Sequence, residues 1–315
     1  MTMSPVDRLR EAYLDACEAE LRAFKPGNVS VRSPGHGMTA ADFRLSAQAS
    51  ALPLASPAVG LGLRVYHAVA DTRRAVGCNT NLGIVLLCAP LMQAVLDGTD
   101  QDLRADLARV LCGAGRDDAA WLYRAIRVAA PGGLGTAARH DVYGEPPRSV
   151  TEAMWPAARR DRIAFQYVSV FKDIFGWSVP RMRLLCERWG EESWAAVGVF
   201  LGQLARARDT HIVRRHGNSL AREVSAKAAR LEEALCRSDS PEQFLPRLQE
   251  LDGQLKRAGV NPGTTADLTV ATLLAVRLED LVGEQRRTQP GPSVPYRVGG
   301  PSLDGASSRN YQRKE

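Results

Sequence analysis

The sequence predicts an all-α protein, a single multi-helix globular domain of roughly ten helices followed by a disordered C-terminal tail. Three observations carry that reading. Apolar residues recur at three- and four-residue spacing along most of the chain. Period-two alternation with β-branched residues is confined to the short stretch Val29-Ser30-Val31. Caps and breakers divide the rest into helix-sized pieces. A Rossmann or P-loop architecture, which needs strands between its helices, is therefore not expected.

A chain of 315 residues can bury a sizeable core, and 45% apolar with 24% charged residues places it among soluble globular proteins. No apolar run reaches the ~18 residues of a membrane span, and the N-terminus lacks a signal peptide's apolar region. A cytoplasmic protein without a membrane partner is expected. The six scattered cysteines form no C-x-x-C pair and fit buried thiols in a reducing compartment. The net charge of +6 does not point to nucleic acid. Residues 285–315 hold six basic and two acidic side chains, so this stretch carries +4 of it, with no aromatics beyond Tyr296 and Tyr311. Twelve of its 31 residues are Gly, Pro or Ser, too polar a composition to offset chain entropy. The expected division is residues 1–284 as the helical domain and 285–315 as a flexible basic tail.

Residues 6–24 open the chain as an amphipathic helix that stops at the elbow Lys25-Pro26-Gly27-Asn28. Lys25 is then either a solvated surface lysine or an ammonium presented at a rigid corner. After the loop Ser33-Pro34-Gly35-His36-Gly37-Met38, a helix begins near Thr39. Ser56-Pro57 reads as cap and first position of a third, running to about Val76 with Arg73 and Arg74 near its end. The elbow Asn79-Thr80-Asn81-Leu82-Gly83 leads into the apolar run Ile84-Val85-Leu86-Leu87-Cys88, a buried element with two carboxamides at its mouth. One asparagine can be a plain N-cap; Gly83 lets something approach the backbone closely.

Further helices are expected from about Asp100 and from Asp117 to Ala129, where Pro131-Gly132-Gly133-Leu134-Gly135 makes a third elbow before Arg139-His140-Asp141-Val142. The capping pattern Ser149-Val150-Thr151-Glu152 suggests a long helix to about Phe175, with Asp161 on its apolar face. A tryptophan-rich helix follows from about Glu191. Beyond it, Asp209 and His211 serve one pocket only if the helix is broken near Asp209, because two residues apart on a helix they face different ways. Helices from Ser219 and after Ser240-Pro241 lead to the last elbow, Asn261-Pro262-Gly263-Thr264-Thr265-Ala266-Asp267-Leu268. Asp267, in the first turn of a closing helix to about Val282, complements the helix dipole or serves a site.

Taken in order, these segments resemble the triphosphoribosyl-dephospho-CoA synthase family. The resemblance rests on Lys25-Pro26-Gly27-Asn28-Val29, Asn79-Thr80-Asn81-Leu82-Gly83, residues 131–135 with Asp141-Val142, Asp209-Thr210-His211-Ile212 with His216-Gly217, and residues 261–268. It covers the chain to about Val282. The resemblance implies an all-helical fold and a transferase with ATP as ribosyl donor. The 2′-hydroxyl of dephospho-CoA attacks C1′ of ATP and adenine leaves. The sequence departs from the family at Gly35-His36-Gly37-Met38, which lacks an expected acid, and at Asn28 and Ser30. The segments before Asn79 and at 151–154 look more like a divergent branch of archaea and methylotrophs. That branch is associated with tetrahydromethanopterin-linked C1 metabolism, so a C1-carrier precursor is the alternative acceptor. A helical nucleotide-binding protein without catalysis is the reading from another class.

Displacing adenine at an anomeric carbon needs a polyphosphate clamp, proton transfer to the leaving base and a base for the hydroxyl. Mg²⁺ held by one or two carboxylates suits a polyphosphate. The candidate catalytic residues are Asp141, Asp209, His211 and Asp267, with Asp141 and Asp209 as metal ligands. Lys25, Asn28, Arg73, Asn79, Asn81, Gly132, Gly133, His216, Asn261 and Thr264 are the candidate ATP and substrate contacts. The elbows are expected to converge on one pocket.

Overall fold

The computed structural model describes residues 3–99, 102–132 and 141–288, with side chains to residue 284. Thirteen α-helices and no strand occur among them. The first half holds α1 (Pro5–Arg22), α2 (Ala40–Ala55), α3 (Leu61–Val76), α4 (Leu82–Leu96), α5 (Leu103–Gly113) and α6 (Arg116–Ala129). Then come two short helices, α7 (Val150–Met154) and α8 (Arg162–Ser169), and a π-helical turn at Ile174–Ser178. The second half holds α9 (Val179–Trp189), α10 (Glu192–Arg206), α11 (Thr210–Arg237), α12 (Leu245–Arg257) and α13 (Gly263–Thr288). No described helix is long and apolar enough to cross a membrane.

Helices α4 and α13 pack together at the centre, with α1, α2, α5 and α10 around them. The cause lies in composition. From Gly83 to Met92 every residue of α4 is buried, so this helix must be enclosed on all sides. Pro90 within it cannot donate to the carbonyl four residues back, that of Leu86. The Tyr167 hydroxyl on α8 donates to that oxygen instead, at 2.6 Å. Helices α3 and α6 cross closely because Gly62 has no side chain: a β-carbon there would overlap the Asp118 backbone. The Gly62 N–H meets the Asp118 carboxylate at 2.8 Å.

Three expected boundaries shift. Ser56 ends α2, its hydroxyl donating to the Leu52 carbonyl, and α3 starts after Gly60. The buried guanidinium of Arg64 takes the Leu54 and Val59 carbonyls and fixes this turn. The long helix expected over 149–175 is broken twice. Pro156 has no N–H to continue α7, and Asp161 caps α8 with its carboxylate on the Ile163 and Ala164 N–H groups at 2.9 and 3.0 Å. Val170 and Phe171 then take positive φ. Asp161 is thus a cap and not a residue of an apolar stripe. The closing helix runs to Thr288, past the expected end near Val282. The basic tail beyond it lies outside the described residues, as does Gly133.

Candidate active site

The elbows meet at one cleft of about 810 Å³. Asn28 and His36 reach it from the first loop, Asn79, Thr80 and Gly83 from the start of α4, and Pro131, Gly132 and Asp141 from the segment after α6. His211 comes from α11, and Asn261, Gly263, Thr264 and Asp267 come from the start of α13. Arg73 stands at the end of α3. Nine of the fourteen predicted residues therefore line the cleft, with His211 beside the elbow at Gly263 and Asp267 against Gly83.

Lys25, Asp209 and Asn81 hold the wall up from behind it. Lys25 does not reach the cleft, and this corrects its expected contact with phosphate. It is 1% exposed, and its ammonium donates to the carbonyls of Glu20 (2.6 Å), Ala23 (3.1 Å) and Val29 (3.1 Å). It also pairs with the buried Glu20 carboxylate at 3.2 Å. Burial lowers the Lys25 pKa and raises that of Glu20, each opposed by the partner's charge. The physical reason is local: Pro26 and Gly27 turn the chain back over the end of α1, so the ammonium finds the orphan carbonyls first. Asp252 on α12 pins the same elbow by accepting from the Gly27 N–H at 2.8 Å.

Asp209 is likewise structural, correcting its assignment as a metal ligand. The chain is broken there as the shared-pocket reading required, but Asp209 becomes the cap of α11. One carboxylate oxygen accepts from the Ile212 N–H (3.0 Å), the other from the N–H and hydroxyl of Thr265 (both 2.7 Å). Burial raises its pKa, and those hydrogen bonds oppose the rise. It ties the starts of α11 and α13 together and so sets His211 beside Gly263. Asn81 is buried too, its amide directed at Thr72, Ser50 and the Ser46 carbonyl. The cap on α4 comes from Asn79, whose oxygen accepts from the Leu82 N–H at 3.1 Å. His216 is exposed and faces the Gly259 carbonyl at 3.2 Å.

Asp267 has no hydrogen bond or ion pair to a described residue. Its carboxylate lies against the backbone of Gly83, where a β-carbon would overlap Oδ2. What approaches Gly83 closely is thus an acid from the last helix. Burial drives the Asp267 pKa well above the carboxylate range, and the negative charges of Asp209, Glu20 and Asp161 add to it. His211 is held neutral, its pKa lowered to about 4 by burial and by Arg214, Arg215, His36 and His216. Gly83→Ala is expected to lose about 1–3 kcal/mol of stability by overpacking. In a thermal melt the loss should shrink when Asp267→Ala is added, because the overlapping carboxylate is then gone.

Sequence reasoning missed much of the cationic wall. Arg160, Arg214 and Arg215 line the cleft with Arg73. Arg214 sits 3.4 Å from Asp161, whereas Arg73, Arg160 and Arg215 have no acidic partner among the described residues. The signal was present on α11, where His211, Arg214 and Arg215 stand at i, i+3 and i+4 and so share a face.

Guanidiniums without an acidic partner among the described residues share this cleft with the Asp267 carboxylate on an all-helical frame, an arrangement suited to a polyanionic ligand. The comparisons give the family. The model of the ATP:dephospho-CoA triphosphoribosyl transferase family matches residues 6–286, and the chain belongs to that family. Its reaction is transfer of a triphosphoribosyl group from ATP to dephospho-CoA. Among solved structures, a protein of Archaeoglobus fulgidus described as a triphosphoribosyl-dephospho-CoA synthase shares the fold. It has 21% identity and a TM-score of 0.56, over 74% of this chain and 97% of the other. No curated protein matches.

Proposed function

We propose that this cleft is where the N-glycosidic bond of ATP is broken, with the triphosphate against the arginines and the ribosyl carbon above Asp267. The observation that carries the reading is that three guanidiniums without an acidic partner share one cleft with a carboxylate that has no hydrogen bond or ion pair, each taken among the described residues. A triphosphate supplies the charge the arginines lack. An anomeric centre becoming cationic supplies what the carboxylate lacks.

The proton balance follows from the same residue. Asp267, which burial and three neighbouring carboxylates favour in its protonated form, gives its proton to adenine as the C1′–N bond breaks. The carboxylate left behind faces the oxocarbenium-like carbon. The attacking 2′-hydroxyl forms the new C1′–O bond, and its proton restores Asp267. Neutral His211 can orient the hydroxyl or the phosphates without adding charge.

The donor set also bears on Mg²⁺. Among the described residues no three His, Cys, Asp or Glu side chains converge to cage a metal. A single cleft carboxylate such as Asp141 suffices for Mg²⁺ that arrives on a polyphosphate, whose oxygens and waters complete the shell. Bound there, the ion would neutralise phosphate charge.

For the acceptor, dephospho-CoA follows from the family. The C1-carrier precursor keeps its place because the divergent loop Gly35-His36-Gly37-Met38 puts His36 and Met38 on the cleft wall. Mass spectrometry of reactions with each acceptor decides: dephospho-CoA should gain a triphosphoribosyl group. Gain only on a reduced pterin acceptor would move the reading to the alternative.

A further inference from the structure

We propose that the N-terminus of α13, completed by the Thr264 hydroxyl and the Asn261 carboxamide, is a cradle for one phosphate group of a substrate phosphate chain. This rests on the proposed function and assigns to one part of the cleft the chemistry of phosphate oxygens. Helix α13 spans 26 residues, so a full helix dipole ends here. Of its first amides, that of Thr265 is taken by Asp209 and that of Ala266 by the Pro262 carbonyl. The N–H groups of Gly263 and Thr264 have no acceptor among the described residues.

A second observation, independent of the helix end, points to a ligand. Thr264 is 4% exposed, lines the cleft, and its hydroxyl makes no hydrogen bond to a described residue. The other two hydroxyls of this turn that lie deeper behave differently: Thr265 donates to Asp209 and Thr269 to the Thr265 carbonyl. The Thr264 hydroxyl is therefore left to donate to a ligand oxygen in the cleft. Asn261 is pre-set for the same task. Its oxygen accepts from the Asn28 amide at 2.8 Å, leaving its own NH₂ as donor, 3.7 Å from the position of a β-carbon on Gly263. That position lies 3.0 Å from Nδ1 of His211, so a side chain at 263 would displace the imidazole and fill the cradle. Two amides and a carboxamide NH₂ that can only donate, with a hydroxyl free to donate, make a set that suits a phosphate oxygen better than a base or ribose edge. Arg215 on the facing helix α11 supplies cationic charge near Gly132.

Asp267 stands three residues further along the same helix face, roughly 5 Å deeper. A phosphate at Thr264 thus sits one helical step from the group assigned to the ribosyl carbon. That places the donor's triphosphate here, ahead of the diphosphate of dephospho-CoA, which carries the same oxygens.

Inorganic tripolyphosphate is the probe, with ATP and dephospho-CoA as the other arms, in calorimetric titrations of the full chain. Thr264→Val keeps shape and removes the donor. Tripolyphosphate and ATP should each bind about tenfold more weakly, dephospho-CoA should be unaffected, and Thr264→Ser should restore binding. A loss confined to dephospho-CoA would move the cradle to the acceptor and overturn the assignment to the triphosphate. Unchanged binding of all three to folded Thr264→Val would overturn the cradle. The proposed chemistry would stand in either case, because it is judged by adenine release from wild-type protein.

Discussion

Lys25→Ala is expected to cost about 3–5 kcal/mol of stability and to lower the melting temperature by roughly 10 °C. Among the described residues the ammonium is the only cation within hydrogen-bonding reach of the Glu20 carboxylate, and it also satisfies the Glu20 and Ala23 carbonyls at the end of α1 and that of Val29 in the elbow. Removing it strands a buried acid and those carbonyls together, and each unmet group costs on the order of 1–3 kcal/mol. The double variant Lys25→Met with Glu20→Gln should lose less than the single one, since both charges leave together. Thermal and urea melts check both. An unchanged melting temperature with tenfold weaker ATP binding would return Lys25 to the phosphates.

Asp267→Asn should act the opposite way on stability and more strongly on rate. Loss of a proton-transferring group costs about 10²–10⁴-fold in turnover. The carboxylate has no hydrogen bond or ion pair to a described residue, and burial with the charges of Asp209, Glu20 and Asp161 outweighs the opposing charge of Arg214, so its removal should leave stability equal or raise it. The pH dependence has a definite sign. The native-state pKa is raised, so the native protein holds this proton where the unfolded chain has released it. The group's contribution is full below the unfolded aspartate value of about 3.9 and is lost as pH rises through the higher native value. The advantage of Asp267→Asn over wild type should therefore grow with pH in melts. A variant less stable than wild type at every pH would make Asp267 a structural residue.

The elbows were legible because each is built from residues with few other uses at that density. Pro26-Gly27, Gly83, Gly132 and Pro262-Gly263 all reach or frame the cleft. What could not be read was direction. Lys25 and Asp209 carry the right groups beside the site, yet both turn inward to meet orphan backbone groups, a matter of a few dihedral angles. Asn79 and Asn81 divide their labour in a way that spacing alone does not reveal, one capping α4 and the other entering a buried hydroxyl network. The helix over 149–175 was overextended because the capping signal at Ser149 is genuine while the stop at Pro156 and the restart at Asp161 look like ordinary helix surface. Arg214 and Arg215 were hidden by a sequence crowded with arginine, where only the face shared with His211 marks them.

The most direct measurement is the stoichiometry of adenine released per ATP consumed, with dephospho-CoA and Mg²⁺ present. Cleavage at C1′ with retention of the triphosphate predicts one adenine per ATP, matched by one triphosphoribosyl adduct, and no ADP or free phosphate. ADP formed in place of adenine would show phosphoryl transfer and contradict the account of this cleft.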